Sequence, residues 1–281
     1  MSHFEINRTT SDGVVLYLQG WQSEVPAKAV VCLVHGLGEH SGRYAHVGAA
    51  LNSAGYHLLA FDLRGHGKTL GKRGDLPSYE VVNKDVSLLL TEATIRYPNL
   101  PQILYGHSLG GMVVLYYCLR IKPHLAGVVV TSPGLRTALE EQKNKIMLVN
   151  LLGSVMPGMT ISTGLEASTI SRDPAVVERY QKDLLVHDQA TLGLAKHSLD
   201  ATRYIYENAK NWELPLLLMH GSVDKLSYPE GSLELAEKID PRLCTLNLWE
   251  GLSHELHNEP EKEKVFAYLI NQLDQFVAIV A

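Results

Sequence analysis

Six short apolar runs, none broken by regular polar alternation, constrain this chain more than any other feature. They are "AVVCLV" (Ala29 to Val34), "HLLAFDL" (His57 to Leu63), "QILYG" (from Gln102), "GVVVTS" (Gly127 to Ser132), "PLLLMHG" (Pro215 to Gly221) and "CTLNLWE" (Cys244 to Glu250). A strand with one wet face alternates polar and apolar residues; a strand covered on both faces does not. Helical stretches lie between the runs, at about Ser41 to Ala54, Ser78 to Tyr97, Leu109 to Lys122, Pro229 to Ile239 and Pro260 to the end. Strand followed by helix, repeated, predicts an α/β fold with a mostly parallel, doubly wound sheet. A hairpin turning at "TSDG" (Thr10 to Gly13) precedes it.

One stretch interrupts the alternation. Residues 136–211 read as helices only, including one opened by Asp173 as N-cap with Pro174 at its first position. The expected organisation is therefore a core of residues 1–135 and 212–281, with 136–211 a helical cap over the carboxyl edge of the sheet. Ligands of such sheets bind beyond that edge.

The formal net charge of −5 comes without a long basic run, which excludes a phosphate-tracking surface and makes nucleic acid an unsuitable partner. The three cysteines, Cys32, Cys118 and Cys244, sit in apolar segments without metal-ligand spacing, so buried thiols in a reducing compartment are expected. The start lacks a basic n-region followed by an apolar stretch, and no apolar run approaches the roughly 20 residues of a membrane span. A cytoplasmic location is expected.

Chemistry concentrates at the ends of the runs. "GHSLG" (Gly106 to Gly110) places Ser108 between a buried strand and an apolar helix, the context of a G-x-S-x-G nucleophile elbow. A serine hydroxyl needs a base, and the base a carboxylate to hold it. Asp224 follows the run ending at Gly221, and His254 follows the run ending at Glu250, in the order Ser, Asp, His. His257 competes with His254 for the base; proximity to the strand end favours His254. The oxyanion donors are expected from the backbone N–H groups of Leu109, directly after the nucleophile, and Leu37, in the loop after the first parallel strand.

Two other motifs fail on spacing. "HELH" (His254 to His257) is one residue short of the H-E-x-x-H that puts two imidazoles on one helix face, so no metal site is expected. "RGHGKTLG" ends like a phosphate-binding loop, but Asp62 stands where its first glycine belongs, and no G-x-G-x-x-G opens a helix after the first parallel strand. No cofactor is expected.

Taken together, "HGLGEHSGRY" (His35 to Tyr44), "FDLRGHGKTLGKRG" (Phe61 to Gly74), "YPNLPQILYGHSLGG" (Tyr97 to Gly111), "SPGL" (Ser132 to Leu135), "HGSVDKL" (His220 to Leu226) and "SHELHNE" resemble the monoacylglycerol lipase and lysophospholipase family of α/β-hydrolases. The resemblance implies the α/β-hydrolase fold with a cap, the triad Ser108, Asp224 and His254, and oxyanion amides on Leu37 and Leu109. It also implies that Glu39, Arg43, His107 and His257 meet the alcohol end of the substrate, although Glu39 and Arg43 could equally form an ion pair that fixes the loop.

The implied activity is hydrolysis of carboxylic esters bearing one acyl chain, with monoacylglycerol first, and lysophospholipids or a broad range of carboxylic esters as the alternative. Peptidases share the fold. A binding module without turnover is the reading from a different class, and the intact triad argues against it. "KIMLVNLLGSVMPG" in the cap, read as a helix, has only Asn150, Gly153 and Ser154 on one narrow face. Its apolar remainder either packs in the core or lines an acyl tunnel and meets a membrane or micelle. No obligate protein partner is inferred.

Overall fold

The computed structural model describes residues 2–139 and 142–280. Strands β1 (Ser2–Thr9) and β2 (Val15–Gln22) form the hairpin. Its turn closes because the Thr10 hydroxyl donates to Asp12 and accepts from the Val14 N–H, while Gly13 takes φ +85°. There follow β3 (Ala29–Val34), a 3-10 turn at Ser41–Tyr44, α1 (Ala45–Ser53), β4 (Tyr56–Phe61), α2 (Tyr79–Arg96), β5 (Gln102–His107), α3 (Leu109–Ile121) and β6 (Gly127–Thr131).

An insertion comes next: α4 (Lys143–Val155), β7 (Thr160–Ser162), α5 (Pro174–Lys182), β8 (Gln189–Thr191) and α6 (Leu192–Asn208). The core then resumes with β9 (Leu216–Gly221), α7 (Pro229–Lys238), β10 (Cys244–Trp249) and α8 (Lys262–Val280). The main sheet runs β1-β2-β4-β3-β5-β6-β9-β10. β1 and β2 are antiparallel to their neighbours, and β4, β3, β5, β6, β9 and β10 are mutually parallel.

The unbroken apolar runs have the expected cause. Every residue of β3 and β9 is buried, because helices cover both faces of the sheet. β10, at the edge, is half-buried, and with it Cys244; Cys32 and Cys118 are fully buried. Ser78 caps α2 by accepting from the Val81 N–H, and Asp173 caps α5 by accepting from Ala175, with Pro174 at the first position.

The expectation of helices alone in the insertion needs correction. β7 and β8 pair antiparallel through Thr160–Thr191, Ile161–Ala190 and Ser162–Gln189. Strands of three residues are too short to show a period of two, and they bring no Gly-containing tight turn because α5 lies between them. The insertion is tied to the core at several points. His187 N–H donates to Gly38 O at 2.9 Å, Thr191 N–H to Gly74 O at 3.0 Å, and His40 Nε2 bonds Asp183 at 2.9 Å. Its α4 is different: Met147, Leu151 and Val155 are 70%, 61% and 71% exposed.

Candidate active site

Ser108 stands at the seam of β5 and α3 with φ +53° and ψ −117°, a conformation that costs a non-glycine residue about 1–3 kcal/mol. The flanking glycines make the bend possible by removing bulk. A Cβ on Gly110 would lie 2.1 Å from the Val34 carbonyl oxygen, and one on Gly106 2.4 Å from the Gly110 oxygen. The turn is then held by backbone bonds: Ser108 N–H donates to Thr131 O at 3.0 Å, and Ser108 O accepts from Met112 N–H at 3.2 Å.

Ser108 opens into a cavity of about 450 Å³ at the carboxyl edge of the sheet, between the core and the insertion. Leu37, Leu109, Glu39, His107 and His254 line the same cavity. Asp224 is one layer behind, with its Oδ2 2.7 Å from His254 Nδ1. His257 is buried and Arg43 half-buried, and both are absent from the lining.

Asp224 is held from several directions. Its Oδ1 accepts from Leu226 N–H at 2.8 Å and Ser227 N–H at 3.1 Å, and its Oδ2 lies 3.0 Å from Ser227 Oγ and 3.1 Å from His220 Nε2. Burial alone would raise the Asp224 carboxyl, but His254, His220 and their hydrogen bonds hold it far below the usual carboxylate range. For His254 the balance is reciprocal. Burial disfavours the imidazolium, and the Asp224 carboxylate outweighs burial, so His254 titrates above the ordinary histidine value.

Glu39 and Arg43 form an ion pair at 2.6 Å. Arg43 also grips Glu255 with two bonds of 2.7 Å, and its guanidinium lies 4.7 Å from the Tyr180 ring. Glu39 Oε1 accepts from Gly36 N–H and Tyr44 Oη, each at 2.7 Å, so this carboxylate fixes the loop carrying Leu37. His107 and His257, with ring centroids 5.0 Å apart, both titrate well below the histidine range because of burial and neighbouring imidazoles.

Known proteins share this arrangement of sequence. A hydrolase family model described as serine aminopeptidase, S33, matches residues 25–261. The monoacylglycerol lipase of Mycolicibacterium smegmatis is 33% identical over 90% of this chain and 90% of its own. The chain belongs to the monoacylglycerol lipase and lysophospholipase family of α/β-hydrolases. The solved monoacylglycerol lipase of Paleococcus ferrophilus superposes with a TM-score of 0.84 at 34% identity, over 94% of this chain and 98% of that one. An abhydrolase domain-containing protein of Dictyostelium discoideum is 40% identical over 96% of this chain, which spans only 29% of that protein. Like its relatives in the monoacylglycerol lipase family, the chain is a carboxylic ester hydrolase.

For this member of the lipase family the structure adds residues that the sequence reading passed over. Glu255, next to His254, lines the cavity and anchors Arg43. Ser132, at φ +45°, donates its hydroxyl to His254 O at 2.8 Å and accepts at its own carbonyl from Ser227 Oγ at 3.0 Å. His220 and Ser227 flank Asp224 at i−4 and i+3. The available signal was His220 as the one polar side chain in the apolar run "LLLMHG", close before Asp224.

Proposed function

We propose that this hydrolase cleaves monoacylglycerols to glycerol and a free fatty acid through an acyl-enzyme on Ser108. The reading rests on one observation above others: a serine at a strained strand-to-helix turn and a histidine backed by a buried carboxylate line the same, mostly apolar cavity. Ser108 Oγ attacks the ester carbonyl while His254 Nε2 takes its proton. The N–H groups of Leu37 and Leu109 receive the developing oxyanion, each donor lowering the barrier by about 2.7–4 kcal/mol.

The carbon–oxygen bond to glycerol then breaks as His254 returns the proton to the leaving oxygen. Water, deprotonated by the same imidazole, attacks the acyl-serine and releases the fatty acid. Asp224 keeps the Nδ1 proton in place and offsets the imidazolium charge throughout.

Glycerol is assigned to the wall of Glu39, His107 and Glu255, and the acyl chain to the apolar wall that includes Met112, Leu139, Leu194 and Leu199. Arg43 and His257 support that polar wall from behind. Exposed Met147, Leu151 and Val155 of α4 rest on a lipid surface while substrate enters, since a patch of this kind gains free energy when it leaves water. Among the described residues, no helix is long and apolar enough to cross a membrane.

Lys225 favours a second substrate. It lies on the cavity lining, is exposed, and has no ion-pair partner among the described residues, which suits the phosphate of a lysophospholipid. Parallel rates on monoacylglycerol, lysophospholipid and short p-nitrophenyl esters decide. Preference for acetyl or butyryl esters over monoacylglycerols contradicts the lipase reading, and preference for the lysophospholipid replaces it with the second one.

A further inference from the structure

The apolar wall of the cavity carries a polar feature that ester hydrolysis does not use. On α6, Leu194, Ser198 and Thr202 follow one another at i, i+4 and i+8, a spacing that places them in one row, and all three line the cavity. Two hydroxyls thus stand among Met112, Leu194 and Leu199. Thr137, after β6, adds a third; its oxygen accepts from Leu139 N–H at 3.3 Å.

Hydroxyls inside helices normally bond back to the carbonyl four residues earlier. In this chain Ser53, Ser87, Thr91, Thr94 and Ser154 all do so, and Ser232 bonds His220 instead. Ser198 and Thr202 do neither. Thr202 has no hydrogen-bond partner among the described residues, and Ser198 has only the neighbouring Tyr79 hydroxyl, itself buried without a hydrogen bond of normal geometry. Both residues are half-buried, so their hydroxyls reach water while the cavity is empty, and the cost falls on a ligand that displaces that water without replacing its hydrogen bonds.

We propose that Ser198 and Thr202, with Thr137 on the same cavity lining, form a subsite for an oxygen on the acyl chain. The substrate class is then a glycerol ester whose acyl chain bears a hydroxyl or oxo group some carbons from the ester. The inference rests on the lipid-ester reading of the same cavity. An unsubstituted chain strips water from these hydroxyls and returns no hydrogen bond, whereas an oxygenated chain replaces the lost bonds.

The test uses 1-dodecanoylglycerol beside a set of the same ester with one hydroxyl at successive chain positions, assayed on the full chain and on Ser198→Ala/Thr202→Val. The expected result is that at least one hydroxylated isomer exceeds the plain ester in kcat/KM by about tenfold. The double variant loses that preference and gains on the plain ester, with the rate on p-nitrophenyl acetate unchanged to show that folding and chemistry are intact. Plain ester hydrolysed faster than every hydroxylated isomer overturns the subsite, as does a preference that survives in the double variant. No hydrolysis of any member overturns the lipid-ester reading itself.

Discussion

His220 directs its Nε2 at Asp224 Oδ2 from 3.1 Å, on the same oxygen that His254 Nδ1 approaches to 2.7 Å. The other atoms around His220 fix its tautomer. Nε2 also faces the Ser227 carbonyl at 2.8 Å and so carries the proton, while Nδ1 accepts from the Ser232 hydroxyl at 2.7 Å. His220 therefore draws part of the Asp224 charge away from the His254 imidazole.

Removing that donor leaves Asp224 a stronger partner for the His254 imidazolium. In the proposed mechanism His254 must be neutral to take the Ser108 proton, so activity is expected to fall as pH drops through its pKa. In His220→Leu the acidic limb of kcat/KM moves upward, by about 0.5 unit or more, whereas His220→Gln, which keeps an N–H, stays close to the parent. A limb that is unmoved or moves downward in His220→Leu contradicts this role.

Arg43 is the only cation in contact with two buried carboxylates, Glu39 and Glu255, among the described residues. Arg43→Ala leaves both unpaired and is expected to cost about 3–5 kcal/mol of stability, measured by urea unfolding. Glu255→Gln keeps the Arg43–Glu39 pair and costs less. Equal losses for the two variants contradict this account.

Burial holds His66, His107 and His257 well below the usual histidine range. The unfolded chain binds protons at these positions near pH 6.5 while the folded one does not, so their contribution to stability falls as pH drops from about 7 toward 5. His254, shifted upward, opposes this: its contribution is complete below the unfolded value and is lost as pH rises through the folded one. His35, His46, His57 and His187 are shifted downward as well, so seven histidines against one predict a lower Tm at pH 5.5 than at pH 7.5. A Tm that is flat or rises on acidification contradicts the balance.

Leu151→Ser and Val155→Ser on α4 change side chains that are mostly in water. Stability should move by about 0.5 kcal/mol at most, with the rate on a water-soluble ester unchanged. Hydrolysis of monoacylglycerol in vesicles should fall several-fold through loss of surface binding. An unaltered vesicle rate removes α4 from the lipid-facing role.

Much of this was legible in the chain itself. Parallel strands buried on both faces leave continuous apolar runs, so β3 and β9 stand out without alignment to anything. Glycines at 106 and 110 mark the elbow because a side chain there has nowhere to go. The insertion was less legible, because β7 and β8 hold three residues each and pair only after α5 has placed them. Sequence order put Asp224 and His254 at two strand ends that the fold brings to 2.7 Å of each other, but it did not show the atoms that hold them. Ser132 follows β6 whereas His220 and Ser227 belong to the end of β9, and Glu255 meets Arg43 across 212 positions, so their convergence exists only in the folded sheet.

The most direct measurement is kcat/KM for 1-oleoylglycerol in the parent chain and in Ser108→Ala, with mass spectrometry of a fluorophosphonate-treated sample to locate the modified residue. Hydrolysis by the parent, a loss of about 10⁶-fold in the variant, and label on Ser108 alone are predicted. Substantial turnover in Ser108→Ala, or label on another residue, contradicts the account.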